Sequence, residues 1–178
     1  MITSKLITFE GIDGSGKSTQ IKKLEVKLNR LKIENVIYRE PGGTDLSEKI
    51  RQILLDKENI EMSSISEALL FAAARAQLVK ERIKPDLKSG KVVICDRFID
   101  STIAYQGYGR GIDIEQLLSI NKIATRGLMP DITFVFDINP ENAFKRIKMS
   151  EVDRMESVGV DFFKTIREGY FKIIKDNP

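Results

Sequence analysis

Hydrophobic positions alternate between two periods along the chain. Four short runs have strand character: Leu6–Glu10, Val36–Arg39, Val92–Asp96 and Ile132–Ile138. The third and fourth are nearly continuous apolar stretches rich in β-branched residues, the pattern of parallel strands buried on both faces. Between these runs the period lengthens to that of a helix. From Thr19 to Leu31 the apolar residues stand at 21, 24, 28 and 31, a single stripe. Leu46–Leu55 repeats the pattern at 46, 50, 53, 54 and 55. Ser64-Ile-Ser-Glu67 reads as a capping box opening a long helix through Ala72, Ala76 and Val79, which Pro85 bends or ends. Another helix is expected from Ile114 to Ala124, and Pro140 suits the first turn of one reaching Lys148. This alternation predicts an α/β fold of three layers, α/β/α, with right-handed crossovers feeding a mostly parallel twisted sheet.

No repeat, low-complexity tract or linker divides the 178 residues, a length suited to one domain spanning 1–178. The charge balance, 29 Lys and Arg against 26 Asp and Glu, leaves a surplus too small to argue for a nucleic-acid partner. Composition excludes more than it suggests. With no histidine, a Ser-His-Asp triad, a Cys-His dyad and a His-ligated zinc site are ruled out. A single Cys95 can form neither an internal disulfide nor a thiolate cluster. The start of the chain lacks the basic-then-apolar layout of a signal peptide, and the longest apolar run, Ala68–Ala74, is far too short for a membrane span. A reduced, cytoplasmic setting without a membrane partner is expected.

The chemistry must therefore rest on Asp, Glu, Lys, Arg, hydroxyls, backbone groups or a hard cation. Gly11-Ile12-Asp13-Gly14-Ser15-Gly16-Lys17-Ser18 supplies such a set, matching G-x-x-x-x-G-K-[ST] at every fixed position. It follows the first strand directly and, with Thr19, opens an amphipathic helix, the setting that this motif needs. The glycines let successive backbone N–H groups turn inward as an anion nest at a helix N-terminus. Lys17 then reaches the β- and γ-phosphates of a nucleoside triphosphate, and the Ser18 hydroxyl ligates Mg²⁺.

Two other polar clusters end strands. Arg39-Glu40-Pro41-Gly42-Gly43 closes the second and Asp96-Arg97 the third. In an open α/β sheet these ends face the same crevice as the phosphate loop. An Asp closing an apolar strand is placed to hold Mg²⁺ or its water, and the arginines are always-charged forks for a second anion. A GTPase switch would need Asn-Lys-x-Asp, but after Asn121-Lys122 the fourth residue is Ala124. A nucleotide kinase fits better, with a second anion site and a lid that keeps water from accepting the phosphoryl group. The remaining alternative is a P-loop switch that hydrolyses nucleotide slowly.

FEGIDGSGKST (9–19), REPGG (39–43), ALLFAAAR (68–75), DRFIDSTIAYQGYGRG (96–111) and GLMPD (127–131) stand in the order found in bacterial thymidylate kinases. The chain resembles that family from residue 6 to about 170. The resemblance implies a P-loop NTPase-type fold, a homodimer, and transfer from MgATP to dTMP by direct in-line attack. It implies that Phe71 stacks on thymine, a role for which an apolar helix alone would give no warrant. Arg75, four residues on along the same helix face, is implied to bond a ring carbonyl. Thr102 and Gln106 are implied near the base edge, Tyr105 against base and sugar, and Asp13 at the 3′-hydroxyl. Arg39, Arg51 and Arg97 are implied at the acceptor phosphate, with Glu40 orienting them.

The chain departs from the family in two places. Some members carry an arginine directly after the phosphate-loop Asp, where this chain has Gly14. The missing cation is then expected from a lid at about 147–160. Arg154, flanked by Asp153 and Glu156, is the first candidate, Lys148 the second, and Arg146 precedes them. Family members also continue with a strand and a C-terminal helix beyond the point reached by Pro178.

Overall fold

A computed structural model describes residues 4–146 and 153–176. Four parallel strands form a sheet in the order β2-β3-β1-β4: β1 Leu6–Glu10, β2 Asn35–Arg39, β3 Val92–Asp96 and β4 Ile132–Val135. Register brings the chemistry together. Phe9 and Arg39 both pair with Asp96, so the phosphate loop, the REPGG segment and the DR pair emerge at one sheet end.

β1 and β3 are buried almost throughout, as their apolar runs require. β4 is not. It stops at Val135, short of the expected Ile138, and among the described residues it pairs only with β1. Its Ile132 and Phe134 side chains are exposed, although the run is almost continuously apolar.

Helices α1 Lys17–Arg30, α2 Asp45–Leu55 and α3 Ser64–Leu78 follow the sequence periods. Ser63, not Ser64, caps α3 by accepting from the Ser66 amide, which frees Glu67 from the expected capping box and leaves it buried in the interior. Pro85 does not break the chain's course. A π-helical turn at Val79–Ile83 passes into α4, Lys84–Lys88, whose first turn tolerates the missing proline N–H. Beyond β3, a short α5 (Ile99–Thr102) widens into a second π-helical segment, Ile103–Gly109. Then come α6 Ile114–Thr125, α7 Pro140–Arg146 and α8 Val160–Asp176. The last two expected residues of the α7 helix, Ile147 and Lys148, lie outside the described residues.

The largest core cluster joins α8 to the second π-helical segment through Tyr105, Phe162, Phe163 and Ile166. A second cluster covers the sheet with Leu78, Val79, Phe98 and Ile99 against β1 and β3. On the other face Ile21 of α1 packs against Ile7, Phe9 and Ile94. Three layers result, and the polar strand ends remain open at one edge.

Candidate active site

Two adjoining cavities lie at the carboxyl end of the sheet. The first holds the phosphate loop and is lined by Lys17, Ser18, Thr19, Asp96 and Arg146 among others. The second is lined by Phe71, Arg75, Thr102, Tyr105 and Gln106 together with Pro41 and Met155. Asp13, Glu40, Arg51 and Arg97 line both. A reactant in one cavity therefore shares its walls with a reactant in the other.

The phosphate loop leaves β1 at Gly11, whose φ is +133°. A Cβ there would stand 2.5 Å from the Phe136 carbonyl oxygen, so only glycine fits between loop and sheet. Gly14 has φ +75°, and a Cβ would stand 2.5 Å from the Ala143 carbonyl of α7. The position where some relatives of this sequence carry arginine is thus closed to any side chain here. Lys17 curls over the loop and donates to the Gly11 and Ile12 carbonyls, both at 3.0 Å. Burial, and then the nearby Arg97 charge, push its ammonium down to about 8, against the pull of Asp13, Asp96 and Glu10. Among the described residues the buried Ser15 hydroxyl has no partner. Ser18 donates to Asp96 at 3.1 Å. That pair of hard oxygens, beside the loop and without any soft ligand nearby, suits Mg²⁺.

Arg97 is the hinge between the cavities. Its backbone sits at φ +71°, a left-handed conformation that a non-glycine residue adopts at some cost. The backbone is pinned there by donation of its amide to Phe9 O at 2.9 Å. The guanidinium then reaches Asp13 at 2.7 Å, the Tyr105 hydroxyl at 2.9 Å and Ser101 at 3.1 Å. Tyr105 in turn donates to Asp13 at 3.1 Å, and its ring lies 4.8 Å from the Arg97 head. Burial raises the Asp13 carboxyl, but the charges of Arg97 and Lys17 and two hydrogen bonds overcome it and hold the group at about 2.

Behind this hinge stands Glu10, fully buried at the end of β1. It accepts from the Phe98 amide at 2.7 Å and from the Ser101 and Tyr170 hydroxyls at 2.5 and 3.1 Å. Glu10 carries no expected role in the sequence, although a charged residue closing a buried apolar strand is itself a signal. Ser101 and Tyr170, part of the same shell, carried no such signal.

The second cavity is walled by buried charge. Arg75 is 2% exposed and donates to Glu40 (2.7 Å), Thr102 (2.8 Å), Asn121 (2.6 Å) and Phe98 O (2.8 Å). Among the described residues these bonds use four of its five N–H groups, and the side chain lines the cavity. Glu40 was expected to orient Arg39, Arg51 and Arg97. It bonds none of them and holds Arg75 instead, because Arg75 alone reaches its buried position. Burial raises Glu40 to about 7 although Arg75 opposes it, and its Oε1 has no partner among the described residues. Arg51 donates to Pro41 O at 3.1 Å. Arg39 pairs with Glu48 at 3.0 Å and lines the phosphate-loop cavity but not the second, so the three arginines expected at the acceptor phosphate meet on the phosphate-loop side. Thr102 accepts from Arg75 and keeps its own O–H to donate, and it lines the second cavity.

The expected lid arginine is placed quite differently. Arg154 is 5% exposed, paired with Glu67 at 2.7 Å and donating to Leu54 O at 2.7 Å. The Arg154–Glu67 pair is buried, which strengthens its attraction. The Arg154 amide donates to Leu55 O of α2, and its neighbours Asp153 and Met155 line the second cavity. The cation that does reach the phosphate loop is Arg146, which donates to Gly14 O at 3.1 Å.

Comparison with known proteins accords with this geometry. A family model described as thymidylate kinase matches residues 9–178. A thymidylate kinase of Thermoanaerobacter sp. (strain X514) is 52% identical over 174 residues, covering 98% of this chain and 85% of that protein. One of Pelodictyon phaeoclathratiforme is 54% identical over 178 residues, covering 94% and 82%. The crystal structure of thymidylate kinase from Ehrlichia chaffeensis superposes with a TM-score of 0.81 at 40% identity, covering 99% of this chain and 90% of that one. The chain belongs to the thymidylate kinase family.

Proposed function

We propose that this protein transfers the γ-phosphoryl group of ATP to dTMP, giving ADP and dTDP. Family membership supports the reaction, and the observation that carries the mechanism is the Arg97–Asp13 pair shared by both cavities. One cavity takes the triphosphate at Lys17 and the loop amides. The other takes a flat polar heterocycle, for which Phe71 offers an aromatic face and Arg75 and Gln106 offer directional polar groups.

Transfer is direct and in line. With no histidine in the chain, a phosphohistidine relay is excluded. Positioning and charge carry the catalysis. Arg97 draws the acceptor phosphate toward the loop, and Asp13 beside it meets the sugar hydroxyl. Lys17 and Arg146 neutralise the transferring group. Ser18 and Asp96 would hold Mg²⁺, which when bound offsets phosphate charge. Lys148 is retained as a second cation on the ATP side.

We further infer one catalytic domain, a homodimer and a cytoplasmic setting. Exposed Ile65 and Leu69 on α3 and Leu118 and Ile123 on α6 supply apolar surface for a second copy. Among the described residues no helix is long and apolar enough to cross a membrane. A coupled assay of ADP release with dTMP, dUMP, dCMP, dGMP and thymidine tests the reading. Rapid turnover with dTMP is expected. Turnover independent of any acceptor would instead mark a nucleotide-hydrolysing switch.

A further inference from the structure

Outside the residues assigned to either substrate, the most heavily committed polar group is the Glu67 carboxylate. It is 1% exposed and sits under the acceptor cavity, where α3, the second π-helical segment and residues 153–155 meet. Its Oε1 accepts from Gln106 Nε2 at 2.9 Å and Arg110 Nε at 3.3 Å. Its Oε2 accepts from Arg110 Nη2 at 3.2 Å and Arg154 Nη1 at 2.7 Å. A carboxylate facing two guanidiniums accepts and does not donate.

That restriction has a consequence for Gln106. An amide side chain presents an oxygen on one side and an NH₂ on the other, and the network around it decides which way it turns. Because Glu67 can only accept, it takes the NH₂ group. The Gln106 carbonyl oxygen is then left without a partner among the described residues, in a side chain that lines the acceptor cavity. Arg75 lines the same cavity, with four of its five N–H groups used among the described residues and the fifth left to donate. Acceptor beside donor complements a ring N–H beside a ring carbonyl, the edge of thymine or uracil. Cytosine carries a bare nitrogen and an amino group at those positions and mismatches both.

We propose that Glu67 is a specificity-determining positioning residue: without touching the substrate, it fixes the Gln106 amide so that the cavity accepts a keto pyrimidine and rejects an amino pyrimidine. This rests on the reading of the second cavity as the dTMP site. A glutamine at position 67 could offer either oxygen or NH₂, so Gln106 would be free to turn and the code would be lost.

The test compares kcat/KM for dTMP and dCMP in the wild type, Glu67→Gln and Glu67→Gln/Arg154→Gln. The double variant returns the buried cluster to its original net charge, and it carries the test should the single variant fail to fold. The dTMP-to-dCMP ratio should fall at least tenfold in both variants. In Glu67→Gln the change should come through a higher KM for dTMP and a lower KM for dCMP, with kcat for dTMP within about threefold of wild type. A merely structural residue would lower thermal stability and leave the ratio intact. A folded variant that keeps the wild-type ratio overturns the role of Glu67. A wild type that fails to prefer dTMP over dCMP instead overturns the reading of the cavity itself.

Discussion

Replacing Arg97 by alanine removes one guanidinium from the wall between the cavities, with opposite effects on the two sides. An acceptor phosphate would lose at least one charge-assisted hydrogen bond in a desolvated place, worth about 1.5–3 kcal/mol. That corresponds to a fall of roughly 10- to 150-fold in kcat/KM for dTMP. Asp13 would lose its nearest counter-charge at 2.7 Å and a hydrogen bond, leaving burial opposed mainly by Lys17. Its carboxyl, held at about 2 in the intact protein, should rise, so an acidic limb should enter the dTMP profile at a pH where the wild type is still flat. The triphosphate side should not suffer, because Arg97 is one of the groups depressing Lys17. Steady-state kinetics from pH 5 to 9, varying each substrate at saturation of the other, measures all three effects. A large rise in KM for ATP with dTMP kinetics intact would refute this division of the site.

Lys17, held at about 8 by burial and Arg97, should lose its charge in the free enzyme as pH rises through that value. The measured kcat/KM for ATP should fall there, while kcat, which reports the loaded enzyme, stays level to higher pH. Glu40 is raised from 4.5 to about 7 by burial, so its protonated form is favoured in the folded state. The stability it contributes is complete below pH 4.5 and is lost as pH rises through about 7, on the order of 2–3 kcal/mol. Urea unfolding between pH 4 and 8 should show that slope, and Glu40→Gln should flatten it. Arg154→Ala breaks a buried pair and should cost about 3 kcal/mol of stability, read as a lowered thermal midpoint, with kcat at permissive temperature nearly unchanged. Arg146→Ala should do the reverse, lowering kcat at least tenfold with the midpoint held.

β1 and β3 were legible to the residue because both faces of each are covered, so every position carries the apolar signal. β4 carries the same signal over a longer run yet ends at Val135, since hydropathy alone does not mark where hydrogen-bonded pairing stops. α8 was readable but passed over. Phe162, Phe163, Ile166, Tyr170 and Ile173 keep helical spacing, and all are buried. The phosphate loop and the strand-end clusters were visible because their chemistry depends on local order along the chain. The partners of buried charges were not. Arg154 beside Asp153 looks like a surface pair, and only the packing of α3 against residues 153–155 brings Glu67, 87 positions away, into contact. Likewise Glu40 follows Arg39 in sequence but meets Arg75 in space.

The ratio of dTDP formed to ADP released, measured with and without dTMP, tests direct transfer across the shared Arg97–Asp13 wall most directly. A site that binds both substrates side by side and keeps water out should yield the two products one for one, with negligible ADP when dTMP is withheld. ADP released at a similar rate with or without dTMP, and no dTDP, would contradict it.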